Sequence, residues 1–121
     1  MCAPTPLQVG AARGVASLGA AYYDGIIAEH ETKRDQLCAA LERAGLPACM
    51  PQGAYYILAD VSRLPGRTSK ERVMHLLHAT GVAAVPGEAF FRGAAGHTLA
   101  RFCFGKTDAD LAQACERLGR L

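Results

Sequence analysis

Several features that mark particular protein classes are missing from this sequence of 121 residues. It has no tryptophan, no Cys-x-x-Cys pair, no run of four or more basic residues, and no apolar stretch near the ~18 residues that span a bilayer. Thirteen basic residues against eleven acidic ones leave a net charge of only +2. A net charge this small, without basic runs, does not indicate the basic surface that binds nucleic acid or an anionic membrane, so we expect neither as a partner.

The first twelve residues and the cysteines both indicate the cellular compartment in which the protein is expected. Met1 to Ala12 is free of charge, but it lacks the basic region that precedes the apolar core of a signal peptide. The cysteines are odd in number and have no paired spacing: Cys2, Cys38, Cys49, Cys103 and Cys115. We therefore predict a cytoplasmic protein without leader or membrane anchor, whose cysteines are small, reduced, hydrophobic residues.

Four helices are predicted from apolar spacing and from residues that begin or end helices. The first two, at 5–18 and 20–44, are separated by Gly19 and followed by Gly45. On the second helix one face carries the apolar groups Tyr23, Ile26, Ile27, His30, Leu37, Leu41 and Ala44. A third helix begins at the capping-box pattern of Thr68 and Glu71 and ends at Gly81, and a fourth begins at Thr107 or Asp108.

Three short apolar runs, at 54–59, 82–85 and 99–104, are predicted strands, and Pro86-Gly87 is expected to stop the second. The order α-α-β-α-β-β-α predicts the α+β class in a single domain, residues 1–121. We expect a small sheet of three to four strands, covered by helices and preceded by a long N-terminal helix.

Arg101 is the residue that stands out chemically. In the strand 99–104, Ala100, Phe102 and Phe104 share one face, which should pack under the helices, and Arg101 lies on the other. A guanidinium held there could take a carboxylate through two parallel hydrogen bonds. On the pattern alone, a solvated arginine or one paired with a local acid is the commoner arrangement.

Other candidate sites are weaker. His75 and His78 lie one helical turn apart, but no further ligands stand at zinc spacing, so we expect no metal site. Cys103 shares a strand face with Arg101 but has no histidine near it in sequence to act as a base. Ser69-Lys70 begins a capped surface helix, where a solvated lysine is the expected arrangement.

Three segments, PQGAYYILAD (51–60), GVAAVPGEAF (81–90) and LARFCFGK (99–106), resemble in order and spacing the motifs of one family domain. That domain is the small C-terminal domain of class I/II aminotransferases, the fold-type I enzymes that use pyridoxal phosphate. Pro6-Leu7-Gln8 and the helix through Lys33-Arg34-Asp35 are similar to the segment that joins the large and small domains. The resemblance divides the chain into linking helices (1–45) and a unit of sheet and helices (46–121).

The resemblance implies that Arg101 binds the α-carboxylate of an amino-acid or 2-oxo-acid substrate. It also implies a weaker role for Phe90, in the loop Pro86-Gly87-x-x-Phe90, as a residue lining the cleft; an aromatic that only anchors its own loop is equally compatible. Gly53 matches a turn where only a small residue fits. For the intact protein it implies amino-acid metabolism, a homodimer and pyridoxal phosphate.

The catalytic lysine and the phosphate-binding groups of that family belong to its large domain, which this sequence does not resemble. The three lysines are expected on solvated surfaces (Lys33 and Lys70) or, for Lys106, without an identified partner. We therefore expect a fragment that holds no catalytic or cofactor-binding residue and is inactive alone. The alternative is a non-enzymatic α+β module that binds a small carboxylate, an amino acid or a protein partner.

Overall fold

The computed structural model describes residues 3–121. Met1 and Cys2, with the start of the charge-free opening stretch, lie outside that range. No helix within it is long and apolar enough to cross a membrane.

The described residues form helices and short strands in the α+β arrangement that the sequence predicts. In chain order they are α1 (Thr5–Ser17), α2 (Ala20–Arg43), β1 (Ala48–Cys49), β2 (Tyr56–Asp60), α3 (Ser69–Thr80), β3 (Val85–Pro86), β4 (Leu99–Cys103) and α4 (Asp108–Leu118). Two 3₁₀ turns, Gly87–Ala89 and Gly93–Gly96, lie in the loop between β3 and β4. The fold class and the four helices are confirmed.

The sheet is antiparallel throughout, in the order β1-β2-β4-β3. Along β4, Ala100 and Phe102 are almost fully buried, and Phe104 just beyond it is too. They join side chains of α2, α3 and α4 in one hydrophobic core, to which Leu41, Leu76, Leu111 and Leu118 contribute. The predicted alternation of β4 is therefore confirmed, and the core lies on one face of the sheet.

The ends of α3 follow the sequence signals closely. The Thr68 hydroxyl accepts a hydrogen bond from the backbone N–H of Glu71 at 3.2 Å, as an N-cap should. The Glu71 carboxylate accepts from the N–H of Arg67 at 2.6 Å, one residue before the position a full capping box would use. Gly81 ends the helix with φ +73°, a left-handed conformation that favours glycine.

Two strands differ from the sequence prediction. The expected turn after Pro47 contains β1, a two-residue strand with Ala48 opposite Ala59, which is too short to show alternation. The segment 82–84 is not a strand, and Pro86 belongs to β3 rather than ending it. Because β3 is an edge strand, a proline there need not interrupt a ladder of hydrogen bonds.

Lys33 is also placed differently, because it is buried and not solvated. Its ammonium group pairs with Glu29 one turn earlier and with Asp108 at 3.3 Å, and it donates to the backbone carbonyl of Lys106 at 2.9 Å. These partners raise the pKa of Lys33, the hydrogen bond to Glu29 contributing most. Lys33 thus ties α2 to the start of α4, which no local sequence pattern shows.

The helix α1 and the first half of α2 carry exposed apolar side chains. No residue of α1 is buried, and only the second half of the predicted apolar face of α2 is covered. The exposed members of this N-terminal surface are Leu7, Val9, Val15, Leu18, Tyr22, Tyr23, Ile26 and Ile27. A 13-residue helix with no buried residue is marginally stable in water, so we expect this apolar surface to be covered by another part of the protein or by a second chain.

We expect the 121-residue chain to self-associate or to have a poorly protected N-terminus. Replacing Leu7 and Val15 by lysine should shift the mass measured by light scattering toward that of the monomer. Both are apolar side chains more than half exposed, and a charge at either position would oppose burial against a second copy. Lysines at the exposed Ala79 and Ala109 add the same charge elsewhere and should leave the mass unchanged. A strict monomer with strong hydrogen-exchange protection over residues 5–18 would contradict this expectation.

Candidate functional site

Arg101 lies at the centre of the sheet face opposite the core. The register places it directly across from Leu58 on β2 and Val85 on β3. The alternating residues of β2 and β4 on this face are half-buried, in contrast to the fully buried core residues between them. The predicted position of Arg101, on the face away from the core, is confirmed.

Two aromatic rings flank the Arg101 guanidinium. Its Cζ atom lies 4.6 Å from the centre of the Phe90 ring and 5.1 Å from the centre of the Tyr56 ring. A guanidinium over an aromatic face gains about 0.5–2 kcal/mol, depending on how far it is desolvated. The two rings restrict the planar group while leaving its N–H groups available for a ligand.

No acidic side chain neutralises this guanidinium within residues 3–121, where the Arg101 side chain takes part in neither an ion pair nor a hydrogen bond. The alternative that Arg101 pairs with a nearby acidic residue is therefore wrong for the described residues. A cleft of about 250 Å³ opens beside it, lined by Tyr56, Leu58, Phe90, Phe91 and Arg101. A cationic fork among apolar groups is suited to a small carboxylate that carries an apolar part.

Phe90 lies where the resemblance implied, at the rim of this cleft. It is about half exposed, and its ring contacts the guanidinium from the loop side. It is one of the residues that line the cleft.

The base of the Phe90 loop is fixed by Glu88. Its carboxylate accepts hydrogen bonds from the Ser69 hydroxyl at 2.7 Å and from the Lys70 backbone N–H at 3.1 Å. The backbone N–H of Glu88 donates to the Ser69 hydroxyl at 3.1 Å, and His97 Nε2 lies 3.3 Å from the other carboxylate oxygen. The pKa of Glu88 is lowered, first by the Ser69 hydrogen bond and next by that from Lys70.

The weaker candidates are not brought together into a site. Within residues 3–121, no group of three or more His, Cys, Asp or Glu side chains is arranged to hold a metal ion. Ser69 is fully buried against Glu88, and Cys103 faces Tyr56 across the strand pair. Burial raises the pKa of the Cys38 thiol, which makes it a poor nucleophile.

The turn before β2 corrects one expectation. A Cβ atom added to Gly53 would meet no neighbour among the described residues, so packing within this chain does not require a small residue at that position. The residue with the unusual backbone is Ala54, with φ +66°. The chain enters β2 from this left-handed residue, directly before Tyr55 and Tyr56.

Two larger cavities, of about 320 and 370 Å³, lie away from Arg101. The first, between α4 and the segment 81–83, includes Lys106 and Arg117. The second is a groove between α2 and residues 52–54 that is continuous with the exposed Ile26 and Ile27, part of the uncovered N-terminal surface. Neither has an open cationic fork between aromatic rings, so we assign the candidate site to the smaller cleft.

Sequence reasoning missed Tyr56, Leu58 and Glu88 as parts of this site. Tyr56 and Leu58 share a face of β2 by simple alternation, but their place beside Arg101 depends on the pairing of β2 with β4. Glu88 and Ser69 are 19 residues apart and meet only in the folded chain. For Tyr56 and Leu58, the alternation of β2 was the one sequence pattern that could have indicated a shared face.

The family model for aminotransferase class I and II matches residues 1–118 of this chain. The methionine aminotransferase of Escherichia coli is 35% identical over 92 residues, which cover 76% of this chain and 24% of that protein. The aspartate/prephenate aminotransferase of Thermus thermophilus is 36% identical over 92 residues, covering 76% and 22%. The chain thus spans about a quarter of the length of these curated relatives.

Solved structures agree with the sequence matches. An Escherichia coli protein with methionine aminotransferase function superposes with a TM-score of 0.82 at 32% identity, covering 97% of this chain and 30% of that one. The N-succinyldiaminopimelate aminotransferase of Mycobacterium tuberculosis gives 0.81 at 31% identity, covering 94% and 30%.

The lowered pKa of Glu88 predicts how stability depends on pH. Its ionised form is favoured in the folded state, so its contribution is present above the ordinary glutamate pKa of about 4.3 and is lost as pH falls below that value. The difference in urea midpoint between the parent and Glu88→Gln should therefore shrink from pH 7 to pH 3. A Glu88 difference that grows in acid would be contrary to this prediction.

Proposed function

Because this chain belongs to the class I and II aminotransferases, we propose that it is the small C-terminal domain of such an enzyme and that Arg101 binds the substrate carboxylate. The observation that carries the proposal is the guanidinium of Arg101, which contacts the Phe90 and Tyr56 rings and has no ion-pair or hydrogen-bond partner among residues 3–121. In the intact protein, the reaction is the transfer of an amino group between an amino acid and a 2-oxo acid.

The cleft supports binding in two ways. The guanidinium can donate two parallel hydrogen bonds to one carboxylate, which fixes both the position and the plane of that group. Leu58, Phe90 and Phe91 give the cleft an apolar lining, which would strengthen each bond relative to bulk solvent once the cleft is closed. Both effects orient the α-carbon of a substrate relative to the rest of an active site.

In this proposal the domain, residues 1–121, acts as a lid on a large domain. Residues 1–45 link the two domains, and residues 46–121 carry Arg101 to the substrate as the lid closes. The exposed N-terminal surface described above supports this arrangement, since it has the apolar character of a face that a larger domain would cover. The intact enzyme is proposed to be a cytoplasmic homodimer.

The described residues do not fit pyridoxal phosphate, whose chemistry in the family is to accept and release the amino group. A cofactor site needs a reactive lysine, and the cleft beside Arg101 is lined by none. Lys33 is buried in ion pairs, Lys70 stands at the start of α3, and Lys106 lies beyond β4. We therefore propose that the large domain supplies the cofactor site and that the isolated chain is inactive.

The reading frame upstream of Met1 separates this proposal from a non-enzymatic carboxylate-binding module. A continuous upstream region of roughly 250 residues with α/β character and a Schiff-base lysine is expected for a domain of the enzyme. A frame that starts at Met1, with no such region in the gene, would contradict the enzyme assignment for this protein.

Replacing Arg101 by lysine in the intact enzyme should lower kcat/KM by roughly 30- to 1,000-fold, or about 2–4 kcal/mol. Lysine keeps the charge but cannot reproduce the planar pair of hydrogen bonds. The melting temperature should change little, because Arg101 has no ion pair or hydrogen bond to lose and lysine keeps a positive charge beside the two rings. Steady-state kinetics with a good amino donor, together with thermal melts, provide the measurement.

The matched control is Arg117→Lys, at a half-buried arginine outside the cleft, which should leave kcat/KM near the parent value. A large fall in melting temperature with kcat/KM intact in Arg101→Lys would instead identify Arg101 as a structural residue.

The isolated chain should not bind pyridoxal phosphate at one stoichiometric site. After incubation and dialysis, we expect only sub-stoichiometric imine absorbance, located by peptide mapping at the exposed Lys70 and Lys106. Lys33 should react least, since its ion pairs raise its pKa and keep it protonated. A stoichiometric band at a single lysine would refute the proposal that the cofactor site lies in another domain.

A further inference from the structure

We propose that Glu88 is a positioning residue for substrate binding: by bonding to the first turn of α3, it holds Phe90 against the Arg101 guanidinium. This inference rests on the proposed role of Arg101 in carboxylate binding. Glu88 lies outside the cleft and would not touch the substrate, so its effect must pass through the loop.

The first step of the argument is the attachment of Glu88 to α3. Both its carboxylate and its backbone N–H bond to Ser69, and the carboxylate also bonds to the N–H of Lys70. Ser69 is fully buried, so its two hydrogen bonds with Glu88 are shielded from water on the Ser69 side. A carboxylate at the first turn of a helix is also favoured by the helix dipole.

The second step is the rigidity of the loop base. The backbones of Gly87 and Gly96 touch so closely that a Cβ atom on Gly87 would lie 2.5 Å from the Gly96 carbonyl oxygen. His97 adds a second attachment, because Arg72 donates to its backbone carbonyl at 2.6 Å while its ring faces Glu88. The two ends of the loop are thus in contact at Gly87 and Gly96, and each end is bonded to α3, through Glu88 on one side and His97 on the other.

The third step links this base to the ring over Arg101. The backbone N–H of Phe90 donates to the Gly87 carbonyl at 2.8 Å, which closes a 3₁₀ turn around Glu88. Phe90 is therefore two residues from the anchored carboxylate within one hydrogen-bonded turn. Movement of Glu88 away from α3 would carry the Phe90 ring with it and leave the guanidinium restricted on the Tyr56 side only.

The position of the ring can be measured in the 121-residue chain by NMR of the Arg101 Nε–Hε group, assigned by its loss in Arg101→Lys. The Phe90 ring current shifts this resonance, and Phe90→Leu gives its position without the ring. We expect Glu88→Ala to move the resonance at least halfway toward that position, and Ser69→Ala to move it in the same direction. Glu88→Gln should stay near the parent, because an amide oxygen can still accept from Ser69 and Lys70.

The control is Glu116→Ala, which removes a surface carboxylate that bonds to Arg120 and should leave the resonance unmoved. If Glu88→Ala fails to fold, Ser69→Ala decides the question, since it removes one hydroxyl from the same contact. The inference is overturned if the folded anchor variants keep the parent resonance while Phe90→Leu moves it. It is equally overturned if Phe90→Leu has no effect.

Kinetics of the intact enzyme separate this inference from the function on which it depends. Glu88→Ala should raise KM by about 3- to 10-fold with little change in kcat, and Glu88→Gln should restore most of the loss. An unchanged KM in Glu88→Ala, alongside a large loss in Arg101→Lys, would refute the positioning role alone. An unimpaired Arg101→Lys enzyme would refute the carboxylate-binding role, while the resonance would still report whether Glu88 holds the ring.

Discussion

The register of β4 between β2 and β3 is the constraint on which the candidate site depends. It places Arg101 between Leu58 and Val85 on the open face of the sheet, while Phe102 points into the core. A slip of one residue would bury the guanidinium and expose the aromatic ring. Such a slip would bury an unpaired charge and remove an aromatic residue from the core, and both changes cost free energy. This penalty fixes the register and therefore the face on which Arg101 lies.

Two cations in this chain show opposite relations to their surroundings. Lys33 is buried and satisfied by Glu29, Asp108 and a backbone carbonyl, so its charge is compensated within the fold and would be unpaired only if both acids were lost. Arg101 is half-buried, contacts two rings and has no acidic partner among the described residues. The ion pairs of Lys33 stabilise the fold, whereas the unpaired charge of Arg101 can bind an anionic ligand.

Much of the fold was predictable because its signals are local: Gly81 and Thr68 bound α3, and strict alternation defines the two faces of β4. The features that were missed are those made by distant residues. The strand β1 is too short for a pattern, and the bonds between Glu88 and Ser69 join segments 19 residues apart. Arg101 was found by its motif, but its aromatic neighbours required the pairing of β2 with β4 and the path of the loop.

A crystal structure of the intact enzyme with a non-reactive substrate analogue bearing a carboxylate would test the account most directly. We expect both carboxylate oxygens to accept hydrogen bonds from the Arg101 guanidinium, with the Phe90 and Tyr56 rings still in contact with it. A carboxylate bound elsewhere, with Arg101 paired to an acidic side chain of the protein, would contradict the central claim.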